Sequence, residues 1–150
     1  MEVELLRAFL RRHRRIALDT SVFIYQLEGN ARYLALTDPV FSWLERAGHE
    51  AVTSTITMTE LLVPSYREND ENRVDSFYGL LSTYPNLRWI APDLETADLA
   101  AKLRAQYRLR TPDALQAATA IRANVTAMIT NDPAFARIAE FDTAVLDLFL

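Results

Sequence analysis

The stretch RIALDTSVFIYQL, residues 15–27, decides the fold because it carries a buried strand into a helix through an aspartate. The apolar run at 16–18 is typical of a strand buried in a parallel sheet, and apolar residues recur at helical spacing over 22–27. Asp19 stands at the join between the strand and the helix. Burying a charged side chain there costs free energy, whereas burying a neutral side chain would avoid that cost. The position of Asp19 therefore raises the question of whether other carboxylates gather at the same place.

The composition predicts one folded domain spanning residues 1–150, with 50% hydrophobic and 24% charged residues. No apolar run reaches the roughly 18 residues that cross a bilayer, and no signal-peptide pattern is present. We therefore expect a cytoplasmic protein that does not bind membranes. The lack of cysteine excludes disulfides and thiolate metal sites. A net charge of −4 is not the overall footprint of a nucleic-acid-binding protein.

Short apolar segments alternate with segments of helical periodicity along the chain. The predicted strands are 16–19, 50–54, 87–91, 126–130 and 143–149. The predicted helices are 2–13, 20–28, 33–47 with Gly48 as C-cap, 55–68 with a kink or end at Pro64, 70–84, 93–107 and 111–124. This alternation predicts an α/β fold: a single three-layer α/β/α domain with a central parallel sheet and a helix before its first strand.

Four carboxylates are predicted to meet at one edge of that sheet. Asp19 ends the first strand, Asp132 follows the fourth, and Glu60 lies one helical turn beyond the second. Asp113 begins a helix at a junction that would place it at the same edge, where ligands bind in open parallel sheets. Two carboxylates about 4 Å apart repel by about 4 kcal/mol at an effective dielectric constant near 20. A hard divalent cation removes that repulsion and prefers oxygen ligands, so the joint pattern favours a metal site.

Each of these acids also has a simpler structural interpretation. Asp132 precedes a proline and suits a helix N-cap, and Asp113 suits a first helical turn through the helix dipole. The segment Thr57-x-x-Glu60 matches a capping box. Asp19 is the hardest to explain in this way, because the two hydroxyl residues after it could cap their helix themselves.

Four motifs together resemble those of the PIN domain, a ribonuclease fold that includes the VapC toxins of toxin–antitoxin pairs. LDTSVFI (18–24) resembles the opening motif of the family, and TSTITMTELL (53–62) resembles its strand–helix segment with a glutamate. TPDALQAATAI (111–121) resembles the helix that carries the third acid, and ITNDPAF (129–135) resembles the segment that carries the fourth. The resemblance covers most of the chain from about Ile16, so the helix before the first strand is an addition to the family pattern.

The resemblance implies a metal-dependent endoribonuclease that hydrolyses RNA phosphodiester bonds. The implied catalytic and metal-binding residues are Asp19, Glu60, Asp113 and Asp132, with Thr20, Ser21, Thr130 and Asn131 as neighbouring groups that orient them. One or two Mg²⁺ or Mn²⁺ ions would activate a water and stabilise the charge of the transition state. The resemblance also implies an RNA substrate, a protein antitoxin that neutralises the toxin, and a homodimer.

Two other functions compete with this hypothesis. One is a catalytically silent PIN scaffold that binds a protein or RNA partner, which divalent-metal binding would distinguish. The other is a haloacid-dehalogenase-like phosphatase, which needs a second acid two residues after the first, where this chain has Ser21, and a late lysine. No lysine follows Lys102, which disfavours the phosphatase.

The basic segment RRHRR (11–15) invites an RNA-binding interpretation, but it leads into the amino end of the first strand. His13 and His49 both precede strands. We therefore expect these groups at the edge of the sheet opposite the acids, which also disfavours a Ser-His-Asp triad. The apolar helical segments at 40–44, 61–63 and 77–81 suit either a core or a partner surface.

Overall fold

The computed structural model describes residues 2–150, which contain a five-stranded sheet with parallel pairing throughout. The strands are β1 (Arg15–Leu18), β2 (Glu50–Ser54), β3 (Leu87–Ile90), β4 (Ala127–Thr130) and β5 (Asp142–Val145). Their order is β3-β2-β1-β4-β5. The chain starts in the centre of the sheet, builds outward to β3, and then returns to add β4 and β5 on the other side. The winding therefore reverses between β1 and β4, which opens a crevice at their carboxyl ends.

Helices cover both faces of the sheet. They are α1 (Glu2–Arg11), α2 (Thr20–Glu28), α3 (Leu34–Leu44), α4 (Thr55–Arg67), α5 (Glu71–Ser82), α6 (Leu94–Tyr107) and α7 (Thr111–Arg122), with 3-10 helices at Pro133–Arg137 and Leu146–Phe149. This arrangement confirms the predicted three-layer α/β/α fold with a central parallel sheet. Among the residues described, no helix combines the length and apolar character that crossing a membrane requires.

The strands separate two hydrophobic cores because successive side chains point to opposite faces. On β1, Ile16 and Leu18 join the core beneath α1, α2 and α3, whereas Ala17 joins the core beneath α6 and α7. The second core is rich in alanine, which lets α7 lie close to the sheet.

The predicted C-cap of the third helix is wrong, and of the two predicted outcomes at Pro64, a kink or an end, the end is excluded. Helix α3 ends at Leu44, and Gly48 lies in the following turn with φ near +86°, so Gly48 is not the C-cap. Helix α4 continues through Pro64 to Arg67. The last turn of α4 is anchored because the Ser65 hydroxyl accepts a hydrogen bond from Arg73 Nε of α5 at 2.7 Å. Tertiary contacts therefore offset the hydrogen bond that a proline removes.

The predicted last strand is also too long. Strand β5 ends at Val145, and Leu146–Phe149 turns into a 3-10 helix. The backbone N–H of Asp147 donates to Asn131 Oδ1 at 2.8 Å, and the Tyr33 hydroxyl donates to the Asp147 carboxylate at 2.6 Å. These side-chain contacts take the place of the backbone hydrogen bonds that a longer β5 would need.

Candidate metal centre

Asp19 lies at the carboxyl end of β1 and is the N-cap residue of α2. Its Oδ1 accepts a hydrogen bond from the backbone N–H of Thr20 at 2.9 Å, and its Oδ2 accepts one from Thr130 Oγ1 at 2.8 Å. Only 9% of Asp19 is exposed. The expectation that Thr20 or Ser21 could cap this helix is therefore wrong, because Asp19 occupies the cap position itself.

The pKa of Asp19 is raised to about 6, mainly by burial and to a smaller extent by the negative charges of Asp113 and Glu60. The hydrogen bonds from Thr130 and Thr20 lower the pKa and offset part of this effect. Desolvation is the largest cause of the raised pKa, and no basic residue among those described contributes to it or forms an ion pair with Asp19. Asp19 is thus a buried acid whose charged form is poorly compensated by the protein.

Glu60 faces Asp19 from the second turn of α4. Its Oε1 accepts a hydrogen bond from Thr20 Oγ1 at 2.8 Å. The capping-box interpretation is wrong, because the N-cap of α4 is Ser54, whose hydroxyl accepts from the N–H of Ile56. Thr57 instead turns inward to other hydroxyl groups. Glu60 therefore has no capping role and is oriented by a residue of α2.

Asp132 lies two residues beyond β4 and is tied to Asp19 through one hydroxyl group. Thr130 Oγ1 donates to Asp19 Oδ2 and accepts from the backbone N–H of Asp132 at 3.0 Å. Asp132 Oδ1 also accepts from the N–H of Ala134 at 2.9 Å, so it caps the 3-10 helix as the simpler interpretation predicted. The cap uses one carboxylate oxygen and leaves the other without a bond from the residues described.

Asp113 lies in the first turn of α7, where it forms an ion pair with Arg110. Arg110 Nε donates to Asp113 Oδ2 at 3.0 Å. The Asp113 side chain is 13% exposed, whereas that of Arg110 is 78% exposed. The carboxylate is therefore set into the protein, and the guanidinium lies over it at the surface.

All four predicted acids line one cleft of about 270 Å³ at the carboxyl edge of the sheet. The cleft is lined by Asp19, Thr20, Ser21, Ile24, Tyr25, Glu60, Arg110, Asp113, Asn131 and Asp132. Within residues 2–150, no three of the Asp, Glu and His side chains are close enough together to hold a metal ion as they stand. The structure thus brings the acids to one cleft but not to ligating distance, as expected for carboxylates that repel one another.

The donor set nevertheless fits a hard divalent cation. The cleft offers carboxylate oxygens, which Mg²⁺ and Mn²⁺ prefer, and its deepest carboxylate, Asp19, has no cationic partner. The hydroxyl of Ser21, another residue of the cleft, is buried without a hydrogen-bond partner among the residues described. Unsatisfied buried oxygens of this kind are uncommon in folded proteins unless a ligand or water completes them.

The four predicted orienting groups divide into two pairs. Thr20 and Thr130 contact the acids directly, as predicted. Ser21 lines the cleft without bonding to an acid. Asn131 bonds instead to the Tyr25 hydroxyl at 3.0 Å and to the N–H of Asp147, so it holds the cleft wall rather than a carboxylate.

A buried polar network beneath Glu60 was not predicted from the sequence. Gln116 of α7 donates through Nε2 to Thr57 Oγ1 at 2.5 Å, and Thr57 shares hydrogen bonds with Thr53 at 2.8 Å and Thr20 at 3.2 Å. The network therefore links α7, β2, α4 and α2 under the acids. The sequence signal was Gln116 itself, a long polar residue among buried positions of α7 that are mostly alanine.

The two histidines lie away from the acids, as expected. His13 Nδ1 is 2.7 Å from Thr126 Oγ1, just before β4, and His49 Nδ1 is 2.6 Å from the Trp43 carbonyl, just before β2. Both contacts are at the amino edge of the sheet. The candidate site therefore consists of carboxylates, hydroxyls, one amide and one arginine.

The family model of the PIN domain matches residues 16–141. The chain therefore belongs to the PIN domain family. The match begins within β1, so α1 precedes the part of the chain that the family model describes. No curated protein sequence matches the chain significantly.

Two solved structures share this fold. A toxin–antitoxin complex from Klebsiella pneumoniae matches with a TM-score of 0.64 and 23% identity, covering 86% of this chain and 95% of that one. VapBC2 from Rickettsia felis, bound to a DNA fragment from its promoter, matches with a TM-score of 0.69 and 18% identity, covering 87% of this chain and 97% of that one. At such identities these likenesses establish the fold.

Proposed function

We propose that the chain is an Mg²⁺- or Mn²⁺-dependent endoribonuclease whose metal-binding and catalytic residues are Asp19, Glu60, Asp113 and Asp132. The observation that carries this proposal is the meeting of four carboxylates, from four separate segments of a PIN domain, in one cleft. The cleft lies at the winding reversal of the sheet, where open α/β folds bind their ligands. Its acids carry four negative charges against one arginine.

In this proposal each side chain has a distinct part. Asp19 supplies the deep carboxylate, and the hydroxyl of Thr130 holds it in register with Asp132. Thr20 aims Glu60 at the cleft, supported from below by the Gln116 network. A divalent cation, when bound, would neutralise the carboxylates, polarise the RNA phosphate and lower the pKa of an attacking water. No histidine or lysine base is needed for this chemistry.

We further propose that residues 1–150 form a single nuclease domain that acts in the cytoplasm as a VapC-like toxin, dimerises, and is neutralised by a protein antitoxin. The fold shared with the two toxin–antitoxin structures supports this proposal. An apolar groove of about 590 Å³ between α4 and α5 also supports a protein partner. Met58, Leu62, Val63 and Trp89 line it, and Tyr66 and Tyr78 are more than half exposed there. Apolar surface of this kind is typical of interaction sites.

The catalytically silent scaffold remains the alternative that needs a test, because it shares the fold and predicts no metal binding. The phosphatase alternative has no support once the chain is placed in the PIN family.

The test is cleavage of a panel of structured RNAs in Mg²⁺ or Mn²⁺, with and without EDTA. Asp19→Asn, Glu60→Gln, Asp113→Asn and Asp132→Asn should each lower the rate by about 100-fold or more, since loss of even an outer partner of a metal ligand costs 10- to 100-fold. Asp75→Asn is the matched control, because Asp75 is an exposed acid of α5 outside the cleft. A wild-type rate for Asp113→Asn would contradict the four-acid site, and a wild-type protein that cleaves none of the RNAs in either metal would favour the silent scaffold.

A further inference from the structure

Helix capping and the helix dipole do not explain why residue 110 is an arginine. Arg110 is the N-cap residue of α7 and makes no side-chain capping bond. The positive end of the helix dipole disfavours a cation there, and N-cap positions prefer short side chains that accept hydrogen bonds. The reason for an arginine at this position must lie in what surrounds its side chain.

Those surroundings are the four acids. Arg110 is the single basic residue among those that line the cleft in residues 2–150, and it contacts Asp113 through Nε at 3.0 Å. A guanidinium has five N–H donors, and this hydrogen bond uses one of them. The rest of the side chain is largely exposed at the mouth of the cleft. Arg110 therefore occupies one oxygen of a proposed metal ligand while most of its donors stay available.

We propose that Arg110 binds a phosphate group of the RNA strand, and that it leaves Asp113 when a divalent cation takes that carboxylate. This inference rests on the proposed function. Asp113 could not keep its hydrogen bond with Arg110 and serve fully as a ligand, and a bound divalent cation would repel the guanidinium. The released guanidinium has the planar fork that matches a phosphate in a bidentate manner. Arg110 is thus a substrate-binding residue that also keeps the metal-free acids partly neutralised.

The two roles predict opposite effects on two binding steps. Arg110→Ala removes a positive charge and a competitor from the cleft, so it should tighten Mn²⁺ binding. The same change removes a phosphate contact, so it should weaken RNA binding. Arg110→Lys keeps the charge but not the fork, so it should leave Mn²⁺ affinity close to that of the wild type while still weakening RNA binding. A merely structural helix-start residue would not separate the two steps.

The experiment measures both steps on the full chain. Calorimetric titration of the metal-free protein with Mn²⁺ should give an affinity about three- to tenfold tighter for Arg110→Ala, given the strength of close charge interactions near a protein surface. Cleavage kinetics at saturating Mn²⁺ should give a KM raised about tenfold with kcat changed less, as for loss of a contact made equally in ground and transition states. Arg67→Ala, which removes an exposed arginine outside the cleft, should match the wild type in both.

The outcomes separate this inference from the proposed function. If the wild type neither binds Mn²⁺ nor cleaves RNA, the proposed function fails. If the wild type does both, but Arg110→Ala leaves Mn²⁺ affinity unchanged or weaker, or leaves KM unchanged, the role of Arg110 is overturned while the nuclease stands. Because Arg110 is largely exposed, circular dichroism of both Arg110 variants should match the wild type, and Arg110→Lys supplies a second folded test.

Discussion

At the scale of the residue, Asp19 combines two demands that oppose each other. Its position above the sheet places it deep in the cleft, where burial favours the neutral acid, yet a metal ligand must be charged. Two hydrogen bonds partly favour the charged form, but its pKa is still raised to about 6. At neutral pH the metal-free protein therefore buries Asp19 in its charged form, and this opposes folding.

The raised pKa of Asp19 predicts how metal-free stability depends on pH. The native state binds more protons than the unfolded state between the ordinary pKa of about 4 and about 6. The free energy of unfolding therefore falls as pH rises through this window. Asp19→Asn should remove that fall and, in EDTA at pH 7.5, be more stable than the wild type by up to about 3 kcal/mol, at 1.36 kcal/mol per pKa unit. Urea unfolding at pH 4 to 8 measures both effects.

The comparison between the two proteins isolates Asp19 from other titrating groups. Burial lowers the pKa of His13, which gives the opposite slope near neutral pH but acts equally in both proteins. Asp113 is a poorer choice for this test, because Asp113→Asn also breaks the ion pair with Arg110. Parallel pH profiles for the wild type and Asp19→Asn would mean that burial of this carboxylate does not oppose folding.

At the scale of the element, α1 belongs to the core even though it precedes the residues that the family model matches. Leu6, Phe9 and Leu10 are buried in the first core together with residues of α3. A helix added to a fold in this way covers apolar surface that would otherwise face water. We therefore expect α1 to be required for stability rather than to be an appendage.

Two leucines of α1 provide a matched pair for this prediction. Leu10→Ala should destabilise the protein by about 2–5 kcal/mol, the usual cost of truncating a buried leucine, because only 2% of Leu10 is exposed. Leu5→Ala, at a position 58% exposed, should change the stability by about 0.5 kcal/mol or less. Urea denaturation measures both variants. Equal small effects would show that α1 is not part of the cooperative core.

The RRHRR segment joins α1 to β1 at the amino edge of the sheet. Arg15 begins β1 and lies 3.5 Å from a carboxylate oxygen of Glu50. The acids lie beyond the other end of the strand, about 13 Å away at 3.3 Å per residue. The structure thus places the segment as predicted, on the far side of the sheet.

Neutralising this segment should therefore have little effect on cleavage. The combined change Arg11→Gln, Arg12→Gln, Arg14→Gln and Arg15→Gln should lower the rate by less than about threefold at physiological salt, since charges beyond the Debye length of about 8 Å are largely screened. Initial rates with the same RNA panel measure it. A loss as large as that of the acid variants would contradict the assignment of these arginines to the opposite edge.

At the scale of the whole molecule, periodicity predicted the layers of the fold better than the ends of its elements. The parallel sheet follows from short apolar strands between helices, and these signals are local. The end of β5 depends on Asn131 and Tyr33, which contact Asp147 from distant parts of the chain. No local pattern around residue 147 indicates those contacts, so the predicted strand ran too far.

The candidate site likewise has features that the sequence predicted and features that depend on distant contacts. Each of the four acids lies either just beyond a strand end or in the first two turns of a helix, so the topology of the sheet was enough to gather them. Gln116 bonds to Thr57 across 59 positions of the sequence, and this contact depends on how closely α7 packs on the sheet. The pair Arg110 and Asp113 has i,i+3 spacing that is visible in the sequence, but its meaning depends on the other acids that share the cleft.

Protons, metal and folding should be coupled in this molecule, because the cleft that we propose as the metal site also contains the buried Asp19 carboxyl, whose raised pKa opposes folding at neutral pH. Mn²⁺ binds only the folded protein in this proposal, so it should raise the melting temperature by mass action. At 100 times the dissociation constant the gain is about 2.7 kcal/mol, or about 5–10 °C for a chain of this size. Because metal ligands must be deprotonated and the pKa of Asp19 is about 6, the shift at pH 5 should be only about half of that at pH 7.5. Thermal melting at both pH values, with fixed Mn²⁺ and with EDTA, measures this shift in melting temperature.

Two variants serve as controls for this measurement. Asp75→Asn should repeat the wild-type pattern, and Asp132→Asn should show little shift at either pH. Equal wild-type shifts at pH 5 and pH 7.5 would mean that Mn²⁺ stabilises the protein without Asp19, and the deep carboxylate would then have to be removed from the proposed site.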